Sequence, residues 1–391
     1  MKRWLCLFFA ALLGFGAQIG LAEERRSSQC FLAHYMPWFE VSPAGPRWGW
    51  HWTMNAVDPG QIVNGLPRIA AHAHPLIGPY DSGDAAVLEY HLLTMKLAGI
   101  DGVIVDWYGL QDFRDYALLH RNTVKLIEQV EKLGMKFVIC YEDQTVPALV
   151  EAGRLKPGER VSHTQREIRW MADHWFSLKS YVRLDDRPVL LSFGQTGLSD
   201  VEWSACLKAL APVDYFSLHL RRSAAVGAFD WPIPSQGRNA VERFQRDARS
   251  WPRSIPVVYP RFVDFYSEAK VGPSYGRIED RAGTTFRELL DQAITSQQPV
   301  VQIATWNDWG EGTIIEPSHE YQFRDLETIW QVRPSHSPAG IARKPEDLRL
   351  PLRLLGQRQA ARTPEEIRTC DTASQRLASG RLAESEQLLS P

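Results

Sequence analysis

The chain has 391 residues, of which 44% are hydrophobic and 23% charged, an ordinary globular composition with enough apolar material for a sizeable core. Its 44 Lys and Arg nearly balance 46 Asp and Glu, for a formal net charge of -2. No basic field exists to attract nucleic acid or anionic lipid, so neither is expected as a partner. The length allows one large barrel domain with an extension, or two smaller domains.

Lys2 and Arg3 open the chain, and an apolar run follows from Trp4 to about Gly20. Gly20-Leu21-Ala22 then presents small residues where a signal peptidase reads. The run is short and Gly-broken for a membrane span. A signal peptide over residues 1–22 is expected, with secretion or a periplasmic location and no integral span after cleavage; an uncleaved anchor is the alternative. Cys30, Cys140, Cys206 and Cys370 follow at wide separations with no Cys-x-x-Cys, against a zinc ribbon or redox motif. Cys140 sits inside an apolar run and reads as a buried thiol.

Strand-like runs then alternate with amphipathic stretches. The runs are Phe31–Phe39, Asp101–Trp107, Lys136–Tyr141, Pro188–Phe193, Tyr215–Leu220, Ile255–Tyr259 and Pro299–Trp306. Most are continuously apolar, as parallel strands covered on both faces are. Helical patterns fall at Ala85–Ala98, Tyr116–Leu133, Thr164–Tyr181, Leu198–Leu210 and Thr284–Ser296. This βαβ repetition permits a doubly wound sheet or a closed barrel. No Gly-x-Gly-x-x-Gly follows an early strand, which removes the best sign of a dinucleotide fold. Polar and aromatic residues also gather where strands end, as they do at the active-site face of a (β/α)₈ barrel. The expected fold is therefore an α/β (β/α)₈ TIM barrel over 23–334, with an eighth strand sought after Glu316. Two long connections, Val41–Tyr80 and Arg221–Asn239, interrupt the pattern. Beyond about Ser335 aromatics vanish, and 335–391 reads as a C-terminal helical extension, with Pro364–Leu389 a hairpin around Gly380.

The densest cluster of functional residue types is Trp306-Asn307-Asp308-Trp309-Gly310-Glu311-Gly312-Thr313-Ile314-Ile315-Glu316-Pro317. Asp308 and Glu311 fall three residues apart on the loop after a strand, a spacing that aims both carboxylates one way if the loop turns helically. Glycoside cleavage needs a proton donor for the leaving oxygen and a second carboxylate near the anomeric centre. A solvated acidic pair in a Gly-rich turn is the bland alternative; the flanking Trp306 and Trp309 weigh against it. Glu142, closing a hydrophobic strand, points towards a barrel mouth, or else serves a structural ion pair. In Asp106-Trp107-Tyr108 the Asp suits ordering of the site, and Trp107 and Tyr108 suit stacking on sugar. The 14 Trp of the chain fit either a Trp-rich core or sugar platforms. His72 and His74 form a His-x-His pair with no third ligand at useful spacing, so no metal is expected. No Gly-x-Ser-x-Gly supports a serine hydrolase.

With these residues in view, the chain resembles glycoside hydrolase family 99 and the related family 71/99-like group over roughly Phe31 to Leu326. The resemblance rests on His34-Tyr35-Met36-Pro37-Trp38, Trp50-His51-Trp52, Tyr80-Asp81-Ser82-Gly83-Asp84, the stretch Met95–Gly109, Tyr141-Glu142-Asp143 and the Trp306–Pro317 segment. It implies a retaining α-glycosidase on a (β/α)₈ barrel that needs no cofactor. Asp308 would deprotonate the sugar's own 2-hydroxyl, which attacks C1. Glu311 would protonate the leaving group and then activate water. Glu142, Trp107, Tyr108, Tyr35, His51, Trp52, Trp309 and Glu316 would bind substrate. Family 99 mannosidases usually carry Glu-Trp-His-Glu where this chain has Asp308-Trp309-Gly310-Glu311. An Asn-Asp-aromatic-Gly-Glu run also resembles family 71. The expected substrate is an α-linked polysaccharide or oligosaccharide, α-mannan first and α-glucan second. A non-catalytic glycan-binding barrel serving polysaccharide assembly or export is the rival reading.

Overall fold

The computed structural model describes residues 29–41, 48–194, 196–208, 210, 212–333 and 343–390. The expected signal peptide and the boundary near Ser335 lie outside them.

The apolar runs form a ring of parallel strands. In chain order these are β1 (Cys30–Tyr35), β2 (Gly102–Trp107), β3 (Lys136–Tyr141), β4 (Arg187–Ser192), β5 (Asp214–Leu218), β6 (Gly227–Phe229), β7 (Arg253–Ile255, resuming as Val257–Val258) and β8 (Val300–Ile303). Each pairs with the next, and β8 returns to β1 through Phe31↔Val301 and its neighbours. The ring closes at β7, which changes partner in mid-strand: Arg253–Ile255 pairs with β6, and Val257–Val258 pairs with β8. Pro256 sits between the halves. It has no N–H to donate to a ladder, but its carbonyl still accepts from Gln302 N–H at 3.0 Å. The expected TIM barrel is thus present.

The eighth stave is not after Glu316, where the sequence pattern sought it. It is β6, three residues inside the long connection Arg221–Asn239. It is short, it follows β5 after a turn instead of a helix, and its Gly-Ala-Phe sequence has no strand-length apolar run. Neither of the two signals used to find strands was therefore available.

Helices cover the outside of the barrel, among them α1 (Ala85–Ala98), α2 (Tyr116–Lys132) and α3 (Arg160–His174). Helix α1 starts where the Asp84 side chain accepts from the Ala86 and Val87 N–H groups, and it ends on Gly99 in the left-handed conformation. No helix among the described residues is long and apolar enough to cross a membrane.

Strand alternation decides which residues reach the barrel lumen. Asp106 pairs with Cys140 and Trp107 with Tyr141, so each pair shares a face. His34, Asp106 and Cys140 converge inside. Tyr35, Trp107 and Tyr141 point out to the helices: Tyr35 reaches His91 of α1, Trp107 packs on Trp170 of α3, and Tyr141 reaches Glu167 of α3.

The tail contains α4 (Leu350–Ala360), α5 (Pro364–Ala378) and α6 (Leu382–Leu388), the last two forming a hairpin through Gly380. Cys370, Ala373, Leu377, Leu382 and Leu389 are buried in the main core. Glu89, buried on α1, is satisfied entirely by the tail, by Arg358 through two bonds of 2.6 and 3.0 Å and by Ser374 at 2.7 Å. Deleting Thr363–Pro391 keeps α4 and its Arg358 but uncovers apolar surface. The truncated chain is expected to stay folded with a lower melting temperature. Recovery of aggregate alone would show that the hairpin is part of the folding unit.

Candidate active site

The loop after β8 is built as a clamp. The Asp308 N–H donates to Thr305 Oγ1 at 2.8 Å, and Thr305 Oγ1 meets Thr313 Oγ1 at 3.0 Å across the loop. The Glu311 N–H donates to Asp308 Oδ1 at 2.9 Å, so a turn, not a helix, lies between the two carboxylates. On its outer side the loop is held by the chain following β7: Val263 N–H donates to Glu311 O and Phe265 N–H to Gly310 O, both at 2.9 Å. Gly312 makes this approach possible. Its φ is +67°, and a Cβ there would lie 2.8 Å from Val263 O.

Around this loop a group of carboxylates gathers at the C-terminal ends of the strands. Asp106 from β2, Glu142 after β3 and Asp308 after β8 are all buried, and Glu311 is partly buried with Oε2 enclosed and unpaired. Burial pushes the Asp308 carboxyl up to about 6, opposed by hydrogen bonds from the Glu311 and Gly310 backbone. Burial, followed by the charge of Asp308, pushes Glu311 well above the usual carboxylate range. The Tyr266 hydroxyl, donating to Glu311 Oε1 at 3.3 Å, and Trp231 act the other way. Burial also raises Asp106, with Asp308 and Asp115 adding to it, and raises Glu142, with Asp106 and Asp143 adding to it. Two neighbouring carboxyl groups with displaced proton affinities are what acid–base work near neutral pH requires.

The other residues singled out from sequence divide into two sets. Glu142, Tyr108 and His51 belong to the mouth. Tyr108 is half-buried and packs edge-on against Tyr116, with Asp106 and Glu142 close enough to raise its hydroxyl further after burial has done so. His51 stacks on Trp38 with ring centroids 4.3 Å apart and meets Asp115 at 3.3 Å. The loop carrying Tyr108 is fixed from behind, because Glu167 accepts from Leu110 N–H at 2.9 Å and from the Tyr141 hydroxyl at 2.7 Å.

The second set is enclosed. Trp107 is fully buried between Trp170, Trp175 and Tyr141 and has no face left for a sugar. Tyr35, Trp52, Trp309 and Glu316 are equally buried, behind the loop. Trp52 donates to Tyr80 O at 2.8 Å, Trp309 to the Tyr80 hydroxyl at 3.3 Å, and Glu316 accepts from that hydroxyl at 2.8 Å. These side chains brace the site without lining it. The physical reason for Tyr35 and Trp107 is strand alternation; Trp52 and Trp309 fill a second apolar cluster with Phe39 and Tyr80. His72 and His74 have separate partners, Glu268 and Glu320.

Three side chains at the mouth were not singled out from sequence. Trp231 follows the missed β6. Tyr266 lies well past the end of β7, beyond the short strand Phe262–Val263, so the strand-end rule that found Glu142 does not reach it. Asp264, buried beside Tyr266, adds negative charge near Glu311.

The raised carboxyls carry a consequence for stability. A carboxyl with a folded pKa above its unfolded value holds its proton more tightly when folded. Its contribution to stability is therefore present at low pH and lost as pH rises, for Asp308 between about 4 and about 6. Asp308→Asn removes that loss and keeps the acceptor used by Glu311 N–H. The variant is expected to be more stable than the parent at pH 7 by on the order of 1–3 kcal/mol, with the gap closing towards pH 4. Melting curves at both pH values check this; a less stable variant at pH 7 would contradict it.

No family profile and no curated protein matches the chain by sequence. Among solved structures, the GH99 endo-α-mannosidase from Bacteroides thetaiotaomicron superposes with a TM-score of 0.59 at 16% identity, covering 78% of this chain and 96% of that one. The same enzyme in complex with BIS-TRIS-propane gives 0.59 at 18% identity, over 78% and 97% of the two chains. A glycoside hydrolase-like protein gives 0.54 at 15%, over 78% and 93%. The chain therefore has the fold of the GH99 endo-α-mannosidases, over nearly the whole length of those proteins.

Proposed function

We propose that the chain is a retaining glycoside hydrolase acting on α-linked glycan, with Asp308 and Glu311 as its two catalytic groups. The observation that carries this reading is the pair itself. Both carboxylates stand on one clamped loop at the barrel mouth and burial raises both; two backbone donors oppose the rise at Asp308, while the charge of Asp308 adds to it at Glu311. Glu311 is then the group that holds a proton for the leaving oxygen. Asp308 is the group that ionises first and accepts the proton of the substrate's 2-hydroxyl as that oxygen attacks C1. The resulting 1,2-anhydro sugar opens when Glu311, now ionised, takes a proton from water attacking C1; the C1–O2 bond breaks, and protonated Asp308 returns its proton to O2. Two displacements at one carbon retain the configuration.

The fold shared with the GH99 endo-α-mannosidases supports α-mannan as the first substrate to try and α-glucan as the second. Export is part of the same proposal, on the N-terminal sequence alone. Purified protein incubated with a panel of α-mannans and α-glucans, with products resolved by chain length, tests the activity and separates endo from exo action. Binding of a glycan with no cleavage would favour the glycan-binding barrel instead.

A further inference from the structure

The floor of the mouth carries a group of side chains that the proposed chemistry does not use. His34 of β1, Asp106 of β2 and Cys140 of β3 point into the lumen from adjacent strands, and one ligand atom from each lies within 4.8 Å of the others. His34 is fully buried, and neither of its ring nitrogens has a hydrogen-bond partner. The inner carboxylate oxygen of Asp106, Oδ1, is also unpaired. Gln302 Oε1 lies near one nitrogen without a well-formed bond, and the other is left idle, a cost that native proteins rarely carry without a reason. Its ring is held by aromatic edges, Trp231 at 4.8 Å and Phe193 at 6.5 Å.

We infer that His34, Asp106 and Cys140 form a binding site for a soft divalent cation of the zinc type, at the floor of the mouth beside Asp308. One imidazole nitrogen, one carboxylate oxygen and one thiolate make a three-ligand set suited to zinc, with the fourth, open position facing the mouth. Tetrahedral bonds of about 2.0–2.3 Å put ligand atoms roughly 3.3–3.8 Å apart, so atoms at the 4.8 Å limit close by roughly 1–1.5 Å. Gln302 supplies the outer contact. Its Nε2 is fixed on Asp230 O at 2.9 Å while its Oε1 is unpaired and near His34, ready to accept from the ring nitrogen that does not bind metal. Cys140 gives its thiol proton to solvent on binding, and the thiolate and Asp106 together offset the cation's two charges.

Such an ion withdraws Asp106 from the acidic group beside Asp308, and with its charges offset by its own ligands it takes no part in the proposed proton transfers. The site is thus compatible with a hydrolase that needs no metal.

The test is cobalt titration of chelator-treated wild-type protein, followed by absorption. One equivalent of Co²⁺ is expected to give a near-ultraviolet thiolate-to-cobalt charge-transfer band with intense tetrahedral visible bands, and equimolar Zn²⁺ is expected to bleach both. Cys140→Ser should abolish the charge-transfer band, and His34→Gln should weaken cobalt binding at least tenfold. Cys140→Ala serves if the serine variant does not fold, and circular dichroism confirms the fold of each. No charge-transfer band in folded wild type, or an unchanged band without Cys140, overturns the site. The readout does not depend on glycan cleavage, so it stands or falls separately from the proposed hydrolase activity.

Discussion

Glu311→Gln is expected to lower turnover by about 10²–10⁴-fold while glycan still binds. The amide keeps the shape of the side chain and its bond to the Tyr266 hydroxyl, but it has no proton to give a departing sugar oxygen. Calorimetric titration with an uncleaved oligosaccharide separates binding from turnover. Full activity in this variant would remove Glu311 from the mechanism. Asp308→Asn is expected to fail comparably, since an amide cannot accept the 2-hydroxyl proton. Asp308→Glu should keep more activity than the amide, because a carboxylate remains. The longer side chain must then share the loop with the Glu311 N–H that Asp308 now receives.

The same assignment fixes the stereochemistry. If the 2-hydroxyl is the internal nucleophile, the first-formed product keeps the configuration of the substrate, and a 2-O-methyl substrate binds without being cut. Proton NMR during early turnover reads the first, and product analysis the second. Inversion, or brisk cleavage of the 2-O-methyl glycan, would end the proposed pathway. The pH profile follows from the two carboxyls: activity should climb through about pH 6 as Asp308 ionises and decline at higher pH as Glu311 loses its proton.

How far the site was legible in the sequence depended on which strand face a residue occupied. The apolar runs announced seven of eight staves, and strand ends pointed to Glu142 and to the Asp308–Glu311 loop. Taken together as Asp106-Trp107-Tyr108, three neighbours looked like one site. Alternation forbids that: Asp106 and Tyr108 share the luminal face with Cys140 and Glu142, and Trp107 must then turn outward. That correction was available from the sequence once the strand was recognised. The fate of Trp309 and Glu316 was not, because they lie on a loop whose path is set by partners far away in the chain, Tyr80 and His91. Trp231 was hidden for a third reason, since β6 is too short to show a period.

Glu316 offers the sharpest separation between bracing the site and touching the sugar. Its carboxylate is fully buried, taking Tyr80 hydroxyl on one oxygen at 2.8 Å and His91 Nε2 on the other at 3.0 Å. His91 continues to the Tyr35 hydroxyl at 2.9 Å, and the Tyr80 oxygen accepts from Asn307 at 3.2 Å. Asn307 in turn pins the chain after β1, taking Met36 N–H at 2.8 Å and donating to Met36 O at 3.0 Å. Asn307 immediately precedes Asp308, so this network sets where the catalytic loop begins. Glu316→Leu leaves two buried partners unsatisfied and is expected to cost about 3 kcal/mol or more of stability. Glu316→Gln is milder, because one oxygen remains as an acceptor, but its NH₂ group cannot accept from the other partner. The expected outcome for Glu316→Gln is a lower melting temperature with kcat reduced on the order of tenfold to a hundredfold, since an ångström of misplacement in Asp308 costs about that much. KM should change little, because no sugar reaches position 316. The opposite pattern, a raised KM with kcat and melting temperature intact, would place Glu316 in contact with the glycan and show that the network is not what holds Asp308 in position.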